Sequence, residues 1–503
     1  MVQASGKPIT LAEALNSTLE HHPLLETQKW EVEAARGAKR QASGQFDTLF
    51  HNQFGQLNQD LPLSQADRSQ LPNGLQVAEA LNASTGYNFN VSRLLRNGVS
   101  FSSYMDVNRK SDNLTNVLGN SNSQMGVALV VPLLRNRGLN VAAATETAAG
   151  EEIAARQLDY QQTRELLLVN TATSYWKLVA AKQKLAVAIG SEERGRLLLE
   201  NVRALIAADH LPRNEIYEVT ANLADRTANR IAAEQEANNA RVQLGLDMGL
   251  ASDELQAIGD PAETFPPVDQ SITELSDDSF SYYAQLASSR RADIEALQRR
   301  EGAAKTLFRA AQNAVHPQVN LQFATGYSQV RDAGNMGGFW GSLFSSLHRP
   351  DFQTAIVYEF SHNNDFAKGQ LLQSQAKLRE ATLQKSDLER QVAAAVRISW
   401  QNVRTSILRL KSSNEAVAAF QQTLTGEHEK FGLGQSSLTE LLTVEDRLTV
   451  ALSSQVDAQQ GYVLAVAGLR LATGTLFPLY GAVDHIDGKI FQTIPAPGGQ
   501  PQD

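Results

Sequence analysis

The sequence predicts a mainly α-helical chain that also carries strands of a membrane β-barrel, with the whole plan present twice. Three observations predict it. Two long stretches, about 140–206 and Lys368–Lys430, place apolar residues at steps of 3, 4 or 7 among polar ones. Shorter stretches alternate apolar and polar residues with a period of two, the pattern of a half-buried strand. Related segments also recur in the same order. NEIYEVTANL (214–223) returns as TELLTVEDRL (439–448), and this offset of 225 residues carries Gly249 onto Gly474. HHPLLETQ (21–28) returns as RADIEALQ (291–298) at an offset of 270, so the first half holds about 45 extra residues in its middle. The expected halves are 1–258 and 280–480. A linker at 259–279, beginning GDPAETFPPVDQS, joins them, and a tail at 481–503 ending in IPAPGGQPQD closes the chain.

Each half opens with helical pattern. The stretch 10–41 reads as a short helix and a longer one, separated at Pro23. Its counterpart runs from about Phe280 to Gln312. Strand alternation comes next at 87–92 (YNFNVS), 99–107, 319–327 (VNLQFATGY) and 352–360 (FQTAIVYEF), and more weakly at 46–54 and 124–131. The connection 108–124 is rich in Asn, Ser and Gly. Each half then enters its long helix. One seam comprises Val169, Ala172, Trp176 and Val179, and the other runs from Leu388 through Val392, Val396, Val403, Ile407, Leu410, Val417 and Phe420 to Leu424. The stretch 368–430 contains no proline. At 1.5 Å per residue such a stretch makes a helix of roughly 90 Å, too long for a compact globule.

Composition narrows the function. The chain has 503 residues and a net charge of −9, which argues against a nucleic-acid partner. It has no cysteine, which removes disulfides, thiolate metal sites and cysteine nucleophiles. The start, MVQASGKPITLAEAL, lacks the basic and apolar regions of a signal peptide. The longest apolar run, GVALVVPLL (126–134), falls far short of the roughly 20 residues a membrane helix needs. Any crossing is therefore made by strands, whose backbone groups are satisfied only in a closed barrel. Barrels start at about eight strands, so four to six strands per chain demand several chains around one barrel.

The LAEAL…HHPLL opening and its RADI repeat, PLLRNRG (132–138), KFGLGQSSLTELL (430–442) and the LATG ending (471–474) carry a family resemblance. On these residues the chain resembles the TolC-type outer-membrane efflux (outer membrane factor) family across nearly its whole length. The resemblance implies a homotrimer with a 12-stranded barrel in the outer membrane of a Gram-negative bacterium and a long α-helical barrel in the periplasm. It implies a passive exit duct of a tripartite efflux pump or type I secretion system. Its partners would be outer-membrane lipid, a periplasmic adaptor (membrane fusion) protein and, through it, an inner-membrane transporter of RND or ABC type. No cofactor, metal or catalytic residue is expected. The competing reading is a coiled-coil scaffold of the cell envelope whose apparent strands are loops. Two readings of the extra 45 residues stay open: an enlarged extracellular hairpin built from 84–93 and 98–107 around LRNG, or two further barrel strands.

This map places the candidate sites. GLGQSS (432–437) lacks the Lys and the preceding strand of a phosphate loop. It reads instead as a turn between antiparallel helices, with Gly432 or Gly434 ending one and Ser436 or Ser437 capping the next. Its counterpart is AADHLPRNE (207–215), with Pro212 in a first turn and an Asn or Asp cap. The expected adaptor-docking tips are Asp209, His210, Leu211 and Pro212 in one half, and Gly432, Leu433, Gly434, Gln435 and Ser436 in the other. Glu215 and Glu440 are related by the 225-residue offset and placed about one and a half turns up the returning helices, and the resemblance implies that they form the pore gate. The alternative is that each is only an acidic first-turn residue. Family members lock the closed mouth with Tyr and Arg; here Phe431 and Ser436 stand at those places, and Arg213 is the candidate substitute. The nine histidines are scattered and show no metal spacing. Trp176 and Trp400 read as interhelix packing, and Trp340 in GNMGGFWGSLF as an extracellular lid or a membrane-interface anchor.

Overall fold

The computed structural model describes residues 7–71, 77–255, 258–267, 277–332, 335–344, 350–477 and 486–495. In chain order the elements are α1 (Leu11–His21), α2 (Pro23–Ser43), β1 (Leu49–Pro62), α3 (Gln65–Ser69), β2 (Glu79–Leu94), β3 (Ser100–Asp112), β4 (Asn120–Pro132), α4 (Leu139–Ala142), α5 (Ala144–Ala207) and α6 (Glu215–Asp247). Then come α7 (Asp277–Arg290), α8 (Ala292–Ala314), β5 (Gln318–Asp332), α9 (Met336–Gly341), β6 (Asp351–Glu359), α10 (Asp365–Gly432) and α11 (Leu438–Thr473). A mainly helical chain with antiparallel strands is therefore what the sequence folds into. Two compact units divide it. One contains Met1–Val32, Arg156–Leu297 and Gln384–Asp503, the other Glu33–Ala155 and Gln298–Leu383.

The first unit is helical. The expected seams are its core: Ala172, Trp176 and Val179 of α5 are buried with Leu11 and Leu15 of α1, Leu244 of α6 and Val466 of α11. Val392, Val396, Trp400 and Val403 of α10 pack against Tyr283 of α7 and Leu469 of α11. The helix ends repeat at the expected offset. At Gly249 and Gly474 the backbone has positive φ, and a Cβ would strike His22 in one case and Arg290–Arg291 in the other. Those contacts fall where α1 gives way to α2 and α7 to α8, so each returning helix ends against the matching helix break.

Two segments read as loose from composition are held where they are described. In the linker, Ile9 and Asp260–Ala262 exchange backbone hydrogen bonds of 3.0 and 2.9 Å, and the Phe265 ring stacks on Trp176 at 5.6 Å. In the tail, Ile486 and Phe491 are buried, and the Tyr283 hydroxyl donates to the Pro495 carbonyl at 2.8 Å. Proline and glycine content hid the aromatic anchors that pay for order here. Linker positions 268–276, positions 478–480 at the end of the second half and tail positions 481–485 and 496–503 lie outside the described residues.

The second unit contains one six-stranded antiparallel sheet in the order β1-β2-β3-β4-β5-β6. β4 of the first half pairs with β5 of the second through 13 residue pairs, Asn120↔Asp332 to Pro132↔Asn320. The hairpin around LRNG forms, β2 pairing with β3 from Leu94↔Ser100 to Asn82↔Asp112, and it is part of the same sheet. β2 pairs with β1 from Leu49↔Ser92 to Pro62↔Glu79, and β3 pairs with β4 from Ser100↔Val130 to Lys110↔Asn120. The LRNG turn lies at the end of the sheet where strands meet helices. There Gly138 donates its backbone N–H to Asn97 O at 3.0 Å, and Arg96 makes two 2.7 Å bonds to Glu146 of α5. Those two hydrogen bonds, with a third from Ser43, hold the Glu146 carboxyl down at about 2.

Candidate functional site

Register and the two-residue period divide the sheet into unlike faces. One row across the strands is Phe50, Val91, Ser103, Val127, Thr325 and Phe352, and another row in the same face, four residues along β1, begins Phe54, Tyr87 and Val107. The opposite face carries His51, Asn90, Tyr104, Gly126, Gly326 and Asp351 in one row. Asn88 and Asp106 hydrogen-bond there at 2.5 Å, and Gly55 sits directly opposite Gly86. The first face exposes Phe50, Phe54, Phe101, Phe323, Phe352, Ile356 and Tyr358. An apolar band of that size is a lipid or protein contact surface, not a water-facing one. The polar face forms a hollow of 460 Å³ lined by residues such as Gln53, Asn88, Asp106 and Gln124. Glycine pairs leave room for the sheet to curl toward that side.

The Trp340 segment lies on the apolar face. Phe339 and Leu343 are buried against Val107, Tyr87 and Met105, and the Trp340 ring meets Tyr87 edge-on at 5.1 Å. A lid would cover the polar hollow, and this segment does not.

In the helical unit, both sequence-chosen turns are built alike. Gly434 has φ of 70° and donates to Phe431 O at 3.0 Å, while Gln435 donates to Lys430 O at 2.8 Å. Asp209 has φ of 54° and donates to Ile206 O at 3.1 Å, while His210 donates to Leu205 O at 2.9 Å. This is the six-to-one and five-to-two bonding of a Schellman stop. Asp209 and Gly434 stand 225 residues apart, so the αL residue falls at the same repeat position although one is not glycine. Gly432 is only the last residue of α10. His210, Leu211 and Pro212 follow Asp209, and Leu433 to Ser436 flank Gly434, so both sets of tip residues lie in these turns.

The caps differ from expectation in detail. Ser437, not Ser436, is the N-cap of α11. Pro212 precedes α6 instead of lying in its first turn, and Asn214 makes no side-chain cap bond because its backbone is already helical at φ −69° and ψ −26°. Glu440 occupies the third position of α11 and completes a capping box, accepting from the Ser437 N–H at 3.1 Å and hydroxyl at 3.2 Å. It is thus a first-turn residue, not one and a half turns up, and Glu215 is the first residue of α6. Hydrogen bonds from the Ser437 backbone, then from Ser436 and Ser437 hydroxyls, keep the Glu440 carboxyl below its ordinary range. Ser436 also bonds Glu427, which lowers that carboxyl too. Thr439 of α11 donates to Glu218 of α6 at 3.2 Å. Phe431 packs on the apolar cluster formed by Leu198, Val202, Val219, Leu438 and Leu441, and Arg213 is exposed.

Sequence reading missed the charged cluster just above these turns. Arg226 donates to Glu445 at 2.5 Å, to Asp446 at 3.1 Å and to Ser191 O at 3.1 Å. Glu445 also faces His428 of α10 at 3.5 Å. The available signal was spacing: Arg226 lies seven residues after Val219 and three after Leu223, on an apolar stripe where a charge needs a partner. Among the described residues, no three His, Asp or Glu side chains are placed to hold a metal, and no helix is long and apolar enough to cross a membrane.

No family model matches the chain. By sequence it is 22% identical over 335 residues to the outer membrane protein TolC of Escherichia coli (strain K12), covering 66% of this chain and 65% of that one. The chain thus spans slightly less than two thirds of that relative's length. By structure it is similar to the Campylobacter jejuni CmeC outer membrane channel, with a TM-score of 0.67 at 14% identity over 94% of this chain and 87% of the other. It is likewise similar to the outer membrane protein VceC of Vibrio cholerae, with a TM-score of 0.66 at 17% identity over 92% and 96%. The chain has the fold of the TolC-like outer-membrane channels. This TolC-like chain departs from the expected pattern in its sheet. A 12-stranded trimer needs four strands per copy, and the chain supplies six in one sheet.

Proposed function

We propose that this chain is a trimeric outer-membrane channel serving as the passive exit duct of a tripartite efflux pump or type I secretion system. The observation that carries the proposal is the sheet: one face apolar and exposed, the other polar and glycine-lined, with β1 and β6 as outer strands that have no further strand partner among the described residues. Only a closed barrel with lipid outside and water inside satisfies both faces and both edges. Trp340 and the exposed Phe344 then anchor the barrel at the membrane interface. The order of helix pair, strands, long helix and returning helix occurs twice, which supports 1–258 and 280–480 as two structural repeats.

The tips at Asp209–Pro212 and Gly432–Ser436 are the docking points for a periplasmic adaptor, through which an inner-membrane transporter of RND or ABC type is reached. Glu215 and Glu440, three of each in a trimer, ring the mouth and favour cations. The deciding experiment is reconstitution of the detergent-extracted protein into a planar bilayer. Cation-selective single-channel conductance is expected. A trimer that never conducts overturns the channel reading in favour of an envelope scaffold.

A further inference from the structure

The extra hairpin bears on the width of the pore. We propose that β2 and β3 are wall strands of the barrel, that β6 of each copy pairs with β1 of the next, and that three copies close 18 strands instead of 12. The inference rests on the trimeric channel reading above.

Four observations carry it. First, β2 and β3 hold 16 and 13 residues, beyond the roughly 9–11 that a tilted strand needs to cross the bilayer. Second, they stand between β1 and β4 with continuous register on both sides, so no direct β1–β4 pairing exists that would close the wall without them. Third, they obey the same face rule as the rest of the sheet, with Val91, Phe101 and Met105 on the apolar face and Asn90, Ser102 and Asp106 on the polar one. Fourth, their turn at 95–99 is short and tied to the helix-bearing end through Asn97 and Arg96. The connections at the other end, 63–78, 113–119 and 333–350, are longer. Short turns on the periplasmic side and long loops outside are the rule for outer-membrane barrels.

The edges suit closure by identical copies. β1 and β6 are the two outer strands of the sheet. Successive strands alternate in direction, so with six per copy β6 runs opposite to β1, and every junction between copies is antiparallel like every pair within a copy. Six strands fall below the smallest barrel, so other copies must complete it. With strands about 4.8 Å apart and tilted by about 40°, 18 strands give a backbone diameter of roughly 36 Å, against about 24 Å for twelve. Barrels of 16–18 strands leave an aqueous channel. This TolC-like chain would pass bulkier cargo through its outer-membrane section than a 12-stranded relative.

The chain has no cysteine, so single cysteines report cleanly. Asn90→Cys, Val91→Cys, Phe101→Cys and Ser102→Cys are placed in the full-length trimer in lipid and treated with a membrane-impermeant maleimide. Labelling at 90 and 102 is expected to run at least tenfold faster than at 91 and 101. Equal rates at all four positions overturn the proposal, because an appendage outside the wall has water on both faces. Electron cryo-microscopy of the unmodified trimer supplies a strand count independent of any variant. Eighteen strands are expected, and a closed 12-stranded barrel overturns the proposal while leaving the channel standing. A protein with no closed barrel and no trimer overturns the channel reading itself.

Discussion

Arg226 of α6 and Glu445 of α11 meet at 2.5 Å with 4% and 1% of their side chains exposed. They join two helix hairpins from opposite halves of the sequence. Removing Arg226 takes from the buried Glu445 carboxylate its shortest cationic contact, a loss of about 3–5 kcal/mol for a broken buried pair. Arg226→Ala is expected to lower the thermal midpoint sharply, whereas Arg226→Met combined with Glu445→Leu recovers most of the loss. A double variant as unstable as the single one would show that the pair is not the coupled unit.

Glu440 has two candidate roles that a single substitution can separate. Gln keeps the capping box but removes the charge, and Ala removes both. If Glu440 rings the mouth, Glu440→Gln reduces cation selectivity in bilayer recordings without lowering stability. Selectivity unchanged in both variants would leave the capping role alone.

Glu165 of α5 gives the helical unit a pH dependence. It is buried, and burial raises its carboxyl to about 7 against the pull of the Gln161 hydrogen bond and Arg291. Between the ordinary value of 4.5 and about 7 the folded state holds a proton that the unfolded state has lost. Stability therefore falls as pH rises through that window and levels off above it. Glu165→Gln is expected to stabilise at pH 8 by on the order of 3 kcal/mol and to do nothing at pH 4. Unfolding midpoints at both pH values check the sign.

The two Schellman stops predict opposite effects from reciprocal changes. Asp209 bears a side chain at positive φ, and Gly434 does not. Asp209→Gly is expected to stabilise by up to about 1 kcal/mol, and Gly434→Ala to destabilise by about 1 kcal/mol, since space is open but the backbone is strained. Chemical-denaturation midpoints of the two variants should move in opposite directions.

The loss of one hydroxyl tests the second cap. Ser437→Ala removes the acceptor for the Glu440 N–H at 3.2 Å and is expected to cost about 1 kcal/mol. Ser436→Ala leaves that cap in place and should cost less, although it frees Glu427. Equal losses would contradict the assignment of Ser437 as the N-cap.

Much of the architecture was legible because its causes are local. The seam from Val392 to Leu424 follows from side-chain spacing on one helix, and the reversal at Gly434 from a conformation that glycine adopts without strain. The site was less legible. Glu440 could be placed near the turn by sequence, but its capping role depended on which serine stopped being helical. Phe265 sits in a Pro-rich stretch that composition marks as linker, and its stacking on Trp176, 89 positions earlier, has no periodic signature.

The sequence by itself determined the alternation of strands, the two long helices, their repeat at 225 residues and the turns that reverse them. Each is written in spacings of a few residues or in direct self-similarity. Only the tertiary structure decided that β2 and β3 belong in the sheet, that α9 covers the apolar face and not the polar one, and that Arg226 finds Glu445. Those choices are pairings between distant segments. A strand's alternation says which residues share a face, but only its register with a neighbour says which face that is.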